Sequence, residues 1–463
     1  MNEKKELFES IPVPKALASL AIPTIISSLI TMIYNLADTF YIGQTNDPYK
    51  VAAASVSFAF PFLMSALSSL FGMGGGSLIS RLLGRQEPEE ARKACAFSIY
   101  GALLVTVIYC ACVYIFMEPL LRLVGASDNT VGYASSYVLW VVVFGGIPAS
   151  MNMTMAHFLR STGYSKQASF GLGMGGVLNI ILDPLFMFVI FEPGFEVTGA
   201  AVATMLSNYC TFIYFIIMFV RLRKRTVLSF SPRLILPGAK YIGQIASVGF
   251  PSAISSSLAC VANILINKLA AQYGDIPVAA FGIVKKIDML PMNVGMGLCQ
   301  GMVPLVAYNY ASKDYKRMHA AAKCARIWGM AFAAICIVVF EIFAEGAVGI
   351  FIREPETYAL STKFLRICCL ATPFMISNFQ MNFTFQAMGK GWQSLILSSC
   401  RQGLVNIPLL FLMNALFGLY GVVWTQLLAD CLTLALSFGL YYRLLKSLRA
   451  EEAAYEQAIA QDT

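Results

Sequence analysis

The sequence predicts an all-α membrane protein whose twelve transmembrane helices form two six-helix bundles. Composition is the first reason: 58% of the 463 residues are hydrophobic, 13% are charged, and the mean hydropathy is +0.68. A soluble domain carries roughly 25% charged residues. The second reason is that apolar stretches long enough to cross a bilayer recur along the whole chain. The third is that the second half of the chain repeats the first.

Twelve apolar stretches divide the chain from end to end. Each has about 20 or more mostly apolar residues, the length that a helix needs to cross a hydrocarbon core of about 30 Å. We place the predicted spans near 15–42, 51–80, 94–118, 131–159, 167–191, 197–220, 241–272, 277–308, 324–345, 357–387, 392–415 and 419–442. Several exceed the minimum length, which predicts tilted or kinked helices.

The internal repeat is visible in matching strings at a nearly constant offset. "AIPTIISSL" (21–29) resembles "GFPSAISSSL" (249–258), and "ARKACA" (91–96) resembles "AAAKCA" (320–325). Six spans per half give both halves the same orientation, so we expect parallel repeats related by a pseudo-two-fold axis along the membrane normal. The predicted domains are residues 1–225 and 226–463, joined by a basic linker at about 221–240 that acts as a hinge.

Basic residues alternate between the two membrane faces. The loops on the side of the N-terminus hold 24 Lys and Arg residues, whereas the opposite loops hold only Lys50, Arg122, Arg353 and Lys363. Basic loops stay in the cytoplasm. We therefore expect a multi-pass protein of the cell (inner) membrane with both termini cytoplasmic. The net charge of +8 reflects this orientation and not nucleic-acid binding.

Two carboxylates, Asp38 and Asp183, lie inside apolar stretches of the first half, and no Lys or Arg lies inside any of those stretches. An uncompensated carboxylate in hydrocarbon costs at least a few kcal/mol. Each must therefore take up a proton, bind a metal cation or neutralise a cationic solute. This requirement predicts a cation-coupled transporter.

Helical spacing places further polar side chains beside these carboxylates. Asn179 lies one turn before Asp183, while Tyr34 and Thr31 lie one and two turns before Asp38, so the two faces could line one cavity. By their positions along their helices, Asp38, Asp183 and Thr204 lie in the half of the membrane opposite the termini. Pro184 and Pro23 weaken the backbone hydrogen bonds of their helices, and we predict a kink or hinge at each.

The chain resembles the multidrug and toxic compound extrusion (MATE) transporters. The resemblance rests on "NLADTFYIG" (35–43), "NIILDP" (179–184) and "GAAVAT" (199–204) in their order along twelve spans. It implies a monomeric antiporter that exports cationic or amphipathic drugs by alternating access, coupled to protons or sodium ions and without another cofactor. In the bacterial branch that this chain resembles, the coupling ion binds in the first bundle, which implies a cation site at Asp38, Asn179, Asp183 and Thr204.

The second half lacks the acid of the "NIILDP" string. Its counterpart "LVNIPLLF" (404–411) keeps only the asparagine and the proline. Lys285 and Asp288 can pair along one helix, and Arg401 and Asp430 fall near mid-depth on adjacent helices. We therefore interpret these charges mainly as a compensated structural network, with a polar lining for the substrate as the open alternative. The candidate substrate-pocket residues are Thr31, Tyr34, Asn152, Gln380 and Asn382.

Two other functions fit a polytopic membrane protein. A flippase for a lipid-linked saccharide would need a cationic cavity for the pyrophosphate, which the acids of the first half disfavour. An enzyme is disfavoured because the chain has no HExxH, nucleophile-elbow or P-loop motif, and its two histidines, His157 and His319, lie in different halves. The residues do not distinguish a proton from a sodium ion at the candidate site.

Overall fold

The computed structural model describes residues 2–45 and 47–462, and the regular elements in these two ranges are all helices. We call the membrane face at which the first span begins the basic side, and the opposite face the far side. In the first half the helices are α1 (Asn2–Glu9), α2 (Val13–Gly43), α3 (Pro48–Ser57), α4 (Ala59–Gly84), α5 (Pro88–Ile115), α6 (Met117–Leu123), α7 (Val131–Val138), α8 (Gly146–Ser161), α9 (Ser165–Leu185) and α10 (Glu196–Leu222). In the second half they are α11 (Ile235–Gly238), α12 (Ile242–Ala271), α13 (Asp275–Ala311), α14 (Tyr315–Gly349), α15 (Pro355–Cys369), α16 (Thr372–Ala387), α17 (Gly391–Ser399) and α18 (Asn406–Asp462).

Three π-helical segments and two bends interrupt these helices. The π-helical segments are Leu139–Phe144, Phe186–Ile190 and Cys400–Leu404. The pair α7 and α8 is bent by 49°, and the pair α15 and α16 is bent by 45°. The predicted kinking of long spans is therefore present, although none of these five interruptions lies at Pro23.

Twelve membrane spans follow from these helices. Among the described residues, nine helical stretches are long and apolar enough to cross a membrane, and the two bent pairs bring the number to eleven. One stretch, Gly391–Lys446, has 56 residues, which at 1.5 Å per residue is about 84 Å and far more than one bilayer crossing. It breaks at Gly418, whose φ of 59° is left-handed, so it forms two spans. The predicted twelve-helix fold is thus confirmed.

Local sequence signals set the helix ends. Asp47 and Asp314 accept hydrogen bonds from the amide groups of Tyr49 and Arg317, and so cap the starts of α3 and α14. Prolines occupy the first turn of α2, α3, α5 and α15, where a missing amide hydrogen costs nothing. The turn after α8 contains Gly163 in the left-handed region, with φ 84°.

The two bundles contact each other through two equivalent pairs of helices. Span 1 (α2) packs on span 8 (α13), and span 7 (α12) packs on span 2 (α3 and α4), which is the same contact made twice. Close approach depends on glycine: a Cβ at Gly301 would collide with the backbone of Ala21, and one at Gly249 with the backbone of Leu70. These contacts lie in the halves of the spans nearer the basic side, so the molecule is closed on that side.

The start of the chain extends the contact between the bundles. Leu7 and Phe8 of α1, together with Leu17 and Leu20 of α2, share a buried cluster with residues of the second bundle such as Leu305. Leu444 of α18 belongs to the same cluster, so the last span also packs at this contact between the bundles.

The predicted linker packs against the first bundle. Val227 and Leu228 are buried in that bundle's core, and the Tyr100 hydroxyl donates to the carbonyl oxygen of Phe230 at 2.8 Å. Lys240 forms an ion pair with Glu90 at 2.8 Å. The segment that leads into α12 is therefore held against the basic side of the first bundle by packing, a hydrogen bond and an ion pair.

Two basic residues of the first half lie in helices just beyond the apolar stretches. Arg81 and Arg160 occupy the last turns of α4 and α8 and are 8% and 4% exposed. The apolar stretches end just before each arginine, so hydropathy places both in loops. The helices extend beyond those stretches, and neighbouring helices cover both side chains.

Candidate cation site in the first bundle

Asp38 lies near the far end of span 1, at the inner face of its bundle. Its side chain is buried, with 3% of the residue exposed. The Tyr137 hydroxyl on α7 points at Asp38 Oδ2 from 3.4 Å, which is long for a hydrogen bond between oxygens. Span 4 therefore supplies a polar neighbour for the carboxylate, but only a weak one.

Asp183, Asn179 and Thr204 form a connected group between spans 5 and 6. The Asn179 side-chain amide donates to Asp183 Oδ1 at 3.0 Å and to Thr204 Oγ1 at 3.2 Å. Asp183 is fully buried, and Asn179 is 2% exposed. Because Asn179 and Asp183 are one turn apart on α9, the helix itself aligns them, and Thr204 is brought in by the packing of α10 on α9.

The two carboxylates belong to one electrostatic unit. Asp38 and Asp183 lie close enough for their negative charges to repel each other, and the Tyr34 ring lies near both. Tyr34 also approaches Gly176 of α9, where span 1 packs on span 5. Of the four residues that the family resemblance implies, three are linked by hydrogen bonds, and the fourth, Asp38, lies near them.

Neither carboxylate has a basic partner in the part of the chain that the structure describes. Within the described ranges, no Lys or Arg nitrogen lies within 4 Å of Asp38 or Asp183. Asp38 Oδ1, Asp183 Oδ2 and Asn179 Oδ1 accept no hydrogen bond from the described residues, although all three atoms are buried. Buried anionic oxygens in this state favour a bound proton or cation.

The composition of the site suits a proton or a monovalent cation. Two carboxylates, an amide and a hydroxyl are all oxygen ligands of the kind that hard cations prefer. No group of three or more His, Cys, Asp and Glu residues with metal-binding geometry occurs in the part of the chain that the structure describes. The Asn179 and Thr204 oxygens would serve as neutral ligands beside the acids.

The two predicted kink positions differ. Pro184 lies in the last turn of α9, and the backbone changes to π-helical geometry two residues later, at Phe186. Pro23 lies inside α2, and that helix continues through it to Gly43. A local departure from α-helical hydrogen bonding therefore accompanies only Pro184, directly beside the candidate site.

The candidate substrate-pocket residues make hydrogen bonds in different parts of the molecule. Thr31 donates to the Ser27 carbonyl on its own helix. Asn152 donates to the Asn208 carbonyl inside the first bundle. Gln380 bonds to Arg326 and Thr384, and Asn382 donates to Ser398, both inside the second bundle. Of the five, only Tyr34 lies beside the two carboxylates.

Of the two charge pairs expected in the second bundle, one forms and one does not among the described residues. Arg401 Nε donates to Asp430 Oδ1 at 2.7 Å, as expected from their depth, and Gln426 donates to the other oxygen at 2.7 Å. The expected pair of Lys285 with Asp288 does not form in the structure, because Lys285 instead donates to Asn263 on the neighbouring helix at 2.6 Å.

Sequence reasoning missed one neighbour of the site. Tyr137 is 2% exposed and lies in the fourth predicted span, where its hydroxyl would need a partner. A tyrosine in an apolar span therefore indicates that a hydrogen-bond partner lies nearby. Its partner, however, is 99 residues away in the chain, and spacing alone could not identify it.

The family model MatE matches residues 23–185 and again 251–412. The multidrug export protein MepA of Staphylococcus saprophyticus subsp. saprophyticus is 33% identical over 457 residues, which cover 98% of each chain. MepA of Staphylococcus aureus (strain MRSA252) is 31% identical over 448 residues, which cover 96% of each chain.

Solved structures share the fold. A crystal structure of MATE in complex with MaL6 superposes with a TM-score of 0.91 at 23% identity, covering 97% of this chain and all of the other. An outward-facing conformation of a multidrug resistance MATE family transporter superposes with a TM-score of 0.86 at 24% identity, covering 97% of this chain and 99% of the other.

Proposed function

Because this chain belongs to the MATE family, we propose that it is a transporter and not an enzyme, and that it exports cationic or amphipathic organic compounds in exchange for protons or sodium ions. The observation that carries the proposal is the pair of buried carboxylates, Asp38 and Asp183, without a basic partner among the described residues. The names of the MepA relatives, which describe multidrug export, support the same activity.

Coupling arises because ion and substrate compete for the same negative charge. A proton or sodium ion at Asp183, Asn179, Thr204 and Asp38 cancels the charge that attracts an organic cation. The ion must bind more tightly in one conformation than in the other, since a ligand with equal affinity for both shifts nothing. Pro184 and the π-helical segment after it let span 5 respond to the change in charge.

The orientation of the protein in the membrane sets the direction of transport. Basic loops remain in the cytoplasm, so the basic side is the cytoplasmic face. The conformation described above is closed on that side, which is the state from which a substrate leaves to the outside. Rocking of the two bundles then separates the helix pairs that close this side and so opens it to the cytoplasm. A flippase for lipid-linked saccharides is disfavoured because the carboxylates would repel a diphosphate.

The test is dye export from vesicles with the purified protein. Ethidium efflux is measured under an imposed proton gradient and, separately, under a sodium gradient. We expect Asp183→Asn to abolish the gradient-driven component, because the neutral amide cannot exchange one cation for another. Asp128→Asn, the same change at an exposed carboxylate paired with Arg122, should export like the wild type.

Two results would overturn the proposal. One is a wild-type protein that moves no cationic dye under either gradient. The other is an Asp183→Asn variant that keeps its native thermal midpoint and exports as fast as the wild type. The gradient that drives the wild type also identifies the coupling ion.

A further inference from the structure

Two guanidinium groups on the basic side are buried. Arg81 and Arg160 have no carboxylate within 4 Å among the described residues. Nε and Nη2 of Arg81 and Nε of Arg160 are buried and donate no hydrogen bond to any residue that the structure describes. Removing an ion from water without compensation costs several kcal/mol, and Arg401 in the second bundle shows the usual solution of a paired acid.

Arg160 lines a cavity between the two bundles. The cavity is small, with a volume of about 20 Å³ that suits one water-sized ion, and its polar lining comes from both bundles. His157, one turn before Arg160 on α8, and Ser77 contribute from the first bundle, and Gln300 and Gln386 contribute from the second. The lining contains a guanidinium but no carboxylate, so its charge attracts an anion and repels an organic cation.

Arg81 adds positive charge beside this cavity. It lies one turn after Ser77 on α4, and its guanidinium packs against Gly389 in the turn between α16 and α17 of the second bundle. The two arginines thus come from different helices of the first bundle and both meet the second bundle.

We propose that this interlobe cavity binds a small inorganic anion of the chloride class. The anion accepts hydrogen bonds from the Arg160 guanidinium and the Gln300 amide, and it supplies the counter-charge that the protein lacks there. The proposal concerns a site on the basic side, separate from the carboxylates of the candidate cation site, and does not depend on the transported substrate.

Anion binding would stabilise the closed basic side. Beside the cavity, the Ser77 hydroxyl of the first bundle donates to the Gln386 carbonyl of the second at 2.7 Å. Because the two bundles supply the lining jointly, the site exists only while they are together there. An anion that binds only the closed form must shift the equilibrium towards it. Opening of the basic side would release the anion.

The test compares chloride with gluconate at constant ionic strength on the full-length protein in detergent. We expect chloride to raise the thermal midpoint of the wild type in a saturable manner. Arg160→Gln should weaken the apparent chloride affinity by at least about tenfold, since a hydrogen bond to a charged group contributes about 1.5–3 kcal/mol. Arg122→Gln, which removes an exposed arginine on the far side, should respond like the wild type.

The same proposal predicts a conformational effect of chloride. Spin labels at the exposed residues Arg85 and Ser312, on opposite bundles of the basic side, should report more of the short distance in chloride than in gluconate. An identical thermal response of wild type and Arg160→Gln, or none in the wild type, would overturn the proposal. Should Arg160→Gln fail to fold, bromide-soaked wild-type crystals decide: an anomalous peak in the cavity supports the site, and its absence at saturating bromide refutes it.

Discussion

Asp430 and the two acids of the first bundle are all buried, but they differ in how their oxygens are hydrogen-bonded. Asp430 is fully buried and receives hydrogen bonds from Arg401, Gln426 and Asn378. Asp38 and Asp183 each keep an oxygen without a partner among the described residues. A satisfied buried charge is structural, whereas an unsatisfied one requires a ligand. This contrast supports a structural role for the pair in the second bundle and the proposed ion exchange at the acids of the first.

The pairing of Arg401 with Asp430 predicts a non-additive effect on stability. Arg401→Gln alone should lower the free energy of unfolding by about 3–5 kcal/mol, because it strands a buried carboxylate. The double variant with Asp430→Asn should recover most of that loss. Thermal midpoints in detergent provide the measurement, with Arg122→Gln as the exposed control that leaves the midpoint unchanged. A double variant no more stable than Arg401→Gln would show that shape, and not charge, dominates at this position.

Among the helices, α1 crosses the boundary between the bundles. It belongs in sequence to the first half, but its final carbonyl groups are bound by the second bundle. The Arg317 guanidinium donates to the carbonyl oxygens of Leu7, Phe8 and Ile11. Tyr308 stacks on Phe8 with ring centroids 4.9 Å apart. The last carbonyls of a helix lack partners within it, and a guanidinium is well shaped to satisfy several at once.

We therefore expect Arg317→Ala to release α1 locally. Amide hydrogen exchange over residues 2–12 should accelerate by about tenfold or more, in line with the loss of charge-assisted hydrogen bonds. Exchange in the membrane spans should change little. Lys316→Ala, at the exposed neighbouring position, is the control. Unchanged exchange in α1 of Arg317→Ala would mean that the stacking on Tyr308 is sufficient.

The whole molecule is held closed on its basic side by backbone contacts that only glycine permits. Gly249 of α12 lies directly against the backbone of Leu70 of α4, so the two bundles cannot approach this closely with a larger residue. Such a contact differs between a closed and an open basic side. A methyl group added at Gly249 therefore changes the equilibrium between the closed and the open conformation.

Gly249→Ala should shift the protein towards an open basic side. The added methyl collides with backbone in the closed form and is relieved when the bundles separate. Distances between spin labels at Arg85 and Ser312 should lengthen. Gly243→Ala on the same helix meets open space and should leave the distances as in the wild type. A Gly249→Ala variant with wild-type distances would show that the helices adjust locally instead of separating.

Much of the architecture can be predicted from the amino-acid sequence. Hydropathy predicts the twelve spans to within a few residues at most ends, because a bilayer imposes a minimum length of apolar helix on any chain that crosses it. The repeat predicts the two bundles, and the spacing of Asn179 and Asp183 predicts their contact, since residues four apart share a helix face. The absence of Lys and Arg from the apolar stretches of the first half predicts that Asp38 and Asp183 lack a basic partner within those stretches.

Contacts between helices were decided only by the tertiary structure. Tyr137 reaches Asp38 across 99 residues, and Lys285 bonds to Asn263 on another helix instead of Asp288 on its own. Burial of Arg160 against the second bundle depends likewise on packing between the halves. Spacing along a helix determines which residues share a face, but not which face meets which neighbour. That choice depends on the packing of all the helices together, so it emerges only when the chain is folded.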